Sequence, residues 1–241
     1  MQFFRRLQDI RAISFDLDDT LYDNRPVIEN AEQWMVDHMR DRYLASAMYD
    51  RAWWLQLKHE LQRADPSLHD DVSRCRLMML EVGLQRGGMA ESQAKQEAKQ
   101  VFAEFLEVRS QVVVPAESIE VLKQLSRHFP LVVITNGNVL LERIGLDGHF
   151  KHVLKAGNGR KMKPAPDMFR LMAAQLKLRP QQILHVGDDV TTDIFGAIRN
   201  GYQAAWINNQ GQDWRTLHTL PHLMLQDIRD LLTLLPEAEH R

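Results

Sequence analysis

Two periodicities divide the chain. Between about residues 24 and 110, apolar side chains recur at three- and four-residue intervals, which predicts helices. Trp34, Met35, His38 and Met39 share one such face, and Trp53, Trp54, Leu57 and Leu61 share a second. A third helix runs through Leu77, Met78 and Leu80, and a fourth, about 91–108, carries Ala94, Ala98, Val101, Phe102, Phe105 and Leu106. Asp65-Pro66-Ser67 and Gly87-Gly88 punctuate them. The stretch is rich in Ala, Glu, Gln, Arg, Leu and Met, which favour helices. Its aromatic and methionine stripes are expected to pack against one another as the core of a small bundle.

Outside this stretch the pattern is different. Ala12–Phe15, 131–134, 152–156, 183–187 and 203–207 are short apolar runs, the mark of strands covered on both faces. Between them lie predicted helices at 117–128, 139–145, 167–177 and 191–200, the last closing at Gly201. The tail from Leu223 to Leu232 predicts a short strand and a final helix. Strands alternating with helices indicate an α/β fold, a doubly wound and mostly parallel sheet, with an α-helical unit inserted after the first strand. The expected boundaries are 1–22 and 112–241 for the α/β core and 23–111 for the helical insert.

Composition narrows the class of function. With 241 residues, 44% hydrophobic and 26% charged, the chain can bury a sizeable core. A formal net charge of −2 gives no electrostatic footprint for nucleic acid or a membrane surface, and neither is expected as a partner. Cys75 is the single cysteine, so no intrachain disulfide forms. Residues 1–9 lack the apolar stretch of a signal peptide, and no apolar run reaches membrane-spanning length. The expected location is the cytoplasm, as a monomer or weak homodimer.

The polar residues that end the apolar runs carry the candidate chemistry. The first run breaks into Asp16-Leu17-Asp18-Asp19-Thr20. Three carboxylates so close together need a partner, and hard oxygen donors suit Mg²⁺. The runs at 131–134 and 183–187 end in Thr135-Asn136-Gly137 and Asp188-Asp189. Parallel sheets bind ligands beyond the carboxyl ends of their strands, so these three exits should meet in one crevice.

A phosphate ester suits such a crevice. Asp16 would attack phosphorus, and Asp18 would pass a proton to the leaving alkoxide and take one from water. Mg²⁺ would sit between Asp16, the Asp18 carbonyl and Asp188. Thr135 and the Asn136 N–H would hold phosphoryl oxygens, and Lys163 would supply positive charge. Asp189 and Asp193 would lie just outside the metal ligands, Asp193 holding a bound water or pairing with Lys163. His185, inside an apolar strand, is expected to be a hydrogen-bonded core residue rather than a ligand. Arg74 and Arg76 could reach a substrate anion, although solvated helix-face charges are the commoner case.

The ordered set Asp-Leu-Asp-Asp-Thr at 16–20, Thr-Asn-Gly at 135–137, Lys161-Met-Lys-Pro164 and Gly-Asp-Asp-Val-Thr-Thr-Asp at 187–193 resembles the four motifs of the haloacid-dehalogenase superfamily of hydrolases. The resemblance implies a Rossmann-like core and an aspartyl-phosphate mechanism with Mg²⁺. It implies Asp16 as nucleophile and ligand, Asp18 as acid/base and carbonyl ligand, Thr135 and Lys163 for the phosphoryl group, and Asp188 as ligand. The helical insert resembles that family's C1-type cap, which implies a small metabolite as substrate. Within the family, residues 16–28, 131–138 and 183–194 resemble phosphatases of riboflavin biosynthesis. That finer resemblance implies 5-amino-6-(5-phospho-D-ribitylamino)uracil as substrate, with FMN and sugar phosphates as the broader alternative.

Other readings diverge at particular residues. The family's dehalogenases lack an acid two positions after the nucleophile, where this chain has Asp18. Its phosphonate-cleaving members use a cap lysine, and Lys58, Lys95 and Lys99 are not expected to face the site. Trp34, Trp53 or Trp54 could stack on a ring, but each is better explained as bundle core. A non-catalytic metabolite-binding protein of the same fold would need neither a nucleophile nor an acid.

Overall fold

The computed structural model describes residues 1–44 and 48–236. Its central sheet has seven strands: β1 (Gln2–Phe3), β2 (Ala12–Phe15), β3 (Leu131–Thr135), β4 (His152–Lys155), β5 (Ile183–Gly187), β6 (Gln203–Ile207) and β7 (Leu223–Leu225). They lie in the order β1-β7-β6-β5-β2-β3-β4. All neighbouring pairs are parallel except β1 with β7. The sequence pattern missed β1, a two-residue edge strand too short to show a periodicity.

The four central strands β2, β3, β5 and β6 are buried along their whole length, as continuous apolar runs require. One face of the sheet packs against α5 (Ala116–Ser126) and the 3₁₀ turns at Ile228–Leu234 through Leu122, Leu125, Ile228 and Leu231. The other packs against α6 (Pro166–Leu176) and α7 (Gly196–Arg199) through Phe169, Met172 and Ala197. After β2 the chain builds outward through β3 and β4, then crosses to the opposite side of β2 to place β5. This reversal beside β2 is where such folds open a crevice.

Helices α1 (Arg25–Arg42), α2 (Arg51–Ala64), α3 (Val72–Arg86) and α4 (Glu91–Arg109) pack around an apolar cluster of their own, including Met35, Met39, Trp54, Leu57, Leu80, Val101 and Phe105. Asp50 caps α2 by accepting from the Trp53 N–H, and Asp71 caps α3 by accepting from the Arg74 N–H. Gly83 admits the Trp54 ring, since a Cβ there would come within 2.4 Å of it. Trp54 is therefore core, in keeping with its helical stripe. Among the described residues, no helix is long and apolar enough to cross a membrane.

Two predicted helices take other forms. Residues 139–145 make successive turns, not a regular helix. Val139, Leu141 and Ile144 are anchored in the core, while Lys155 Nζ takes the Val139 carbonyl and Ser110 Oγ takes the Leu140 N–H. The Val139 carbonyl is thereby lost to an intrahelical ladder. The predicted helix 191–200 begins as a π-helical stretch, Val190–Phe195, before tightening into α7. Here the Asp189 carbonyl accepts from both the Asp193 and Ile194 N–H groups. The widened turn carries Asp193 inward, and such turns recur at functional sites.

Candidate active site

The sheet register brings the three polar exits together. Phe15 pairs with Val133 of β3 on one side and Val186 of β5 on the other, so Asp16, Thr135 and Asp188 leave the same edge. The Asp16 N–H donates to the Val186 carbonyl, which extends the ladder as far as the carboxylate.

Charge is concentrated below this edge. Lys163 Nζ lies 2.7 Å from Asp16 Oδ1 and 2.6 Å from Asp193 Oδ1. Asp193 is fully buried; its Oδ1 also meets His185 Nε2 at 3.1 Å, and its Oδ2 accepts from the Asp189 N–H. His185 Nδ1 meets Ser14 Oγ at 2.7 Å, so both ring nitrogens are engaged, as expected of a core histidine. Burial holds that imidazole below its usual range. Gly187 makes room for the cluster, because a Cβ there would come within 2.3 Å of the Asp193 carboxyl carbon.

The titrations follow from burial and pairing. Burial would lower Lys163, but Asp16 and Asp193 outweigh it and push the ammonium up to about 12. Burial would raise Asp193, but Lys163 and His185 hold it down. Asp16 is pushed up to about 7 by burial and by repulsion from Asp193, despite Lys163. Asp188 rises to about 7 as well, again by burial first and Asp193 second.

A divalent cation fits this arrangement. One oxygen from each of Asp16, Asp188 and Asp193 lies within 4.8 Å of the others. Asp16 Oδ1 is buried and, despite its ion pair, has no well-directed hydrogen-bond donor among the described residues. Two desolvated carboxylates held up near 7 are what a bound cation would relieve. Asp193 already spends both oxygens on protein donors, which favours Asp16 and Asp188 as the direct ligands. Thr20 Oγ1 donates to Asp188 Oδ1, and the Trp206 indole holds the Asp188 carbonyl.

The remaining predicted residues fall in several places. Thr135 Oγ1 accepts from the Gly137 N–H at 3.1 Å, so its own hydroxyl proton can be donated. The Asn136 side chain bridges both backbone polar groups of Lys163 and thus fixes that residue. The Asp189 side chain instead caps the following turn through Thr191 and Thr192 and points away from the cluster. Asp19 adopts a positive φ of 58° and accepts from the Asn24 N–H, which removes the third carboxylate of the first motif from the site.

Asp18 lines a cavity of about 480 Å³ between this edge and the helical unit, a volume suited to a metabolite. Asn136 and Gly137 form its floor, and Glu32, Lys58, His69, Arg76 and Phe105 line the helical side. Lys58 does face the cavity, contrary to expectation: its place on α2 turns it inward, which helix spacing alone did not reveal. Lys95 and Lys99 are exposed on α4. Arg76 pairs with Glu32 and lies over the Phe105 ring, whereas Arg74 makes an exposed pair with Asp65. None of Trp34, Trp53 and Trp54 lines this cavity.

Two residues were missed. Arg109 Nη2 donates to both Asp18 oxygens at 2.7 and 2.8 Å, and the Tyr22 hydroxyl donates to Asp18 Oδ1 at 2.6 Å. Burial, with Asp18 alongside, keeps the Tyr22 phenol protonated well beyond its usual range. The available signal was position: both stand where the chain passes between the sheet and the helices.

These features coincide with those of a known family. The sequence model of the haloacid dehalogenase-like hydrolases matches residues 10–201, and the chain belongs to that family. It is 38% identical over 239 residues to the 5-amino-6-(5-phospho-D-ribitylamino)uracil phosphatase YigB of Escherichia coli (strain K12), covering 98% of this chain and 100% of that one. It is 26% identical over 246 residues to the N-acylneuraminate-9-phosphatase of Homo sapiens, covering 97% and 96%. A crystal structure of a 2-haloacid dehalogenase from Pseudomonas syringae pv. Tomato DC3000 superposes with a TM-score of 0.88 at 32% identity, covering 93% and 97%.

Proposed function

We propose that the chain is a Mg²⁺-dependent phosphoric monoester hydrolase of a small metabolite, acting through an aspartyl phosphate on Asp16. The observation that carries this reading is the pairing of a buried Asp16 with Lys163 at the strand edge, beside a second carboxylate, Asp18, that lines the cavity. A bound Mg²⁺, held by Asp16, Asp188 and the Asp18 carbonyl, would neutralise phosphoryl charge.

The protein's own groups account for the remaining steps. Lys163 and the Thr135 hydroxyl hold the phosphoryl oxygens. Asp16 attacks phosphorus, and as the ester P–O bond breaks, Asp18 gives its proton to the departing alkoxide. The Asp18 carboxylate then takes a proton from water as that water's oxygen attacks phosphorus. The bond to Asp16 breaks, phosphate leaves, and both carboxyl groups return to their starting states. Residues 23–111 act as the cap that covers the site and contacts the leaving group.

The preferred substrate is 5-amino-6-(5-phospho-D-ribitylamino)uracil, turned over in the cytoplasm as part of riboflavin synthesis. The 38% identity to a phosphatase of that name over the whole chain supports this choice. The resemblance to a dehalogenase structure supports a second reading. Asp18 weighs against it, because displacing a halide needs no proton donor.

Phosphate release with Mg²⁺ from this substrate, FMN and sugar phosphates, beside chloride release from 2-chloropropionate, tests all of these. A lead of about 100-fold in kcat/KM for one ester, roughly 2.7 kcal/mol of transition-state preference, assigns the dedicated role. A flat profile assigns a generalist, and chloride release in place of phosphate release overturns the reading. Asp16→Asn should lower phosphate release by about a thousandfold or more, since it removes the nucleophile.

A further inference from the structure

The carboxylate assigned to proton transfer is gripped from both chain crossings between the sheet and the helical unit. Tyr22 stands just before α1, and Arg109 ends α4. The Arg109 side chain is 3% exposed, and among the described residues Asp18 is its one acidic partner. Among the described residues Nη1 has no hydrogen-bond partner, and both bonds to Asp18 leave from Nη2. The end of α4 is itself tied to the sheet side, through Ser110 Oγ to the Leu140 N–H and Glu107 to Arg143. These contacts hold the end of α4 beside the sheet, with the Arg109 side chain buried against Asp18.

The two oxygens of Asp18 are treated differently. Oδ1 takes the Tyr22 hydroxyl and one Arg109 bond, whereas Oδ2 takes only the longer Arg109 bond. Oδ2 rests against the Gly137 backbone, where a Cβ would approach within 2.5 Å. Gly137 also lines the cavity floor.

We propose that Arg109 and Tyr22 are positioning residues that anchor Asp18 by Oδ1, leaving Oδ2 as the atom that carries the proton to and from the reacting ester. The proposal rests on the role of Asp18 given above. In the first step the proton on Oδ2 passes to the ester oxygen as its bond to phosphorus breaks. In the second, Oδ2 takes a proton from the water that attacks the phosphoryl group on Asp16. Gly137 is the small residue that lets Oδ2 stand at the cavity floor.

The test exploits leaving groups. p-Nitrophenolate departs without a proton, but an alkoxide does not, while hydrolysis of the aspartyl phosphate needs the base in either case. In Tyr22→Phe and Arg109→Lys, p-nitrophenyl phosphate should give a burst of up to about one equivalent of p-nitrophenolate, followed by turnover slowed about tenfold or more. An alkyl phosphate should show a similar fall in kcat with no burst and little change in KM.

Tyr22→Phe removes one hydroxyl and keeps the ring, so it remains informative if the Arg109 variant folds poorly. Unchanged rates in Tyr22→Phe, or an equal loss on both esters with no burst, overturns the proposal. Asp18→Asn separates the two levels. If it behaves as wild type, the acid/base role of Asp18 falls; if it is inactive on alkyl esters while Tyr22→Phe and Arg109→Lys are unaffected, only the anchoring falls.

Discussion

The strand edge and the cavity wall above it both place charged groups next to a reaction site, but on different terms. At the edge, Lys163, Asp193 and His185 are essentially inaccessible to water, and each is held by more than one partner. Gly187 and Gly137 are present because a Cβ would collide with Asp193 or Asp18. On the wall, Glu32, Lys58 and Arg76 are part-exposed and stand on helices whose stability comes from a separate apolar cluster. A desolvated network tolerates little change, because any lost partner strands a buried charge. A half-wet wall can change partners at low cost. The rigid part is fit for a fixed chemical step, and the adjustable part for choosing which leaving group reaches it.

Removing the central cation is the strongest way to break this contrast. Lys163→Met should cost about 3–5 kcal/mol of stability, because it leaves Asp16 and Asp193 facing each other without a counter-charge. Urea unfolding of the metal-free protein measures it. A loss below 1 kcal/mol would mean that the edge is as forgiving as the wall.

Metal binding should sharpen the contrast through its pH dependence. Asp16 and Asp188 are raised, so the folded metal-free protein holds protons there that the unfolded chain has released. Their contribution to stability is therefore full below the ordinary carboxylate range near 4 and is lost as pH rises through about 7. His185, held low by burial, works in the opposite sense: its contribution is full above the ordinary imidazole range near 6.5 and is lost as pH falls below it. Mg²⁺ needs the ionised carboxylates, so the rise in melting temperature that it produces should grow from pH 5 to pH 8. An Mg²⁺ effect independent of pH in that range would place the cation elsewhere.

The smallest expected effect is on the wall. Glu32→Gln removes the charge that pairs with Arg76. Its melting temperature should stay within a few degrees of wild type. Its kcat/KM on the preferred metabolite should fall about tenfold, against less than about threefold on p-nitrophenyl phosphate. An equal fall on both esters would mean that the wall shapes the chemical step itself.

The sequence by itself determined the sheet's buried strands, the helical insert and the convergence of Asp16, Thr135 and Asp188. These follow from local rules: an apolar run bounded by polar residues is a covered strand, and parallel strands present their carboxyl ends together. The sequence also identified Lys163 and Asp193 as a possible pair, and His185 as a satisfied core residue. Tertiary structure decided the rest. Asp189 and Asp193 look alike along the chain, but a widened turn sends one inward and leaves the other as a cap. Lys58 lines the same cavity as Asp18 and Asn136 because of how α2 packs among the other helices. Arg109 and Tyr22 reach Asp18 because both chain crossings pass beside it, and Arg109 lies 91 residues from its partner. Periodicity reports which face of an element is buried, whereas a contact between a helix end and a strand exit depends on how separate elements pack, which no local pattern encodes.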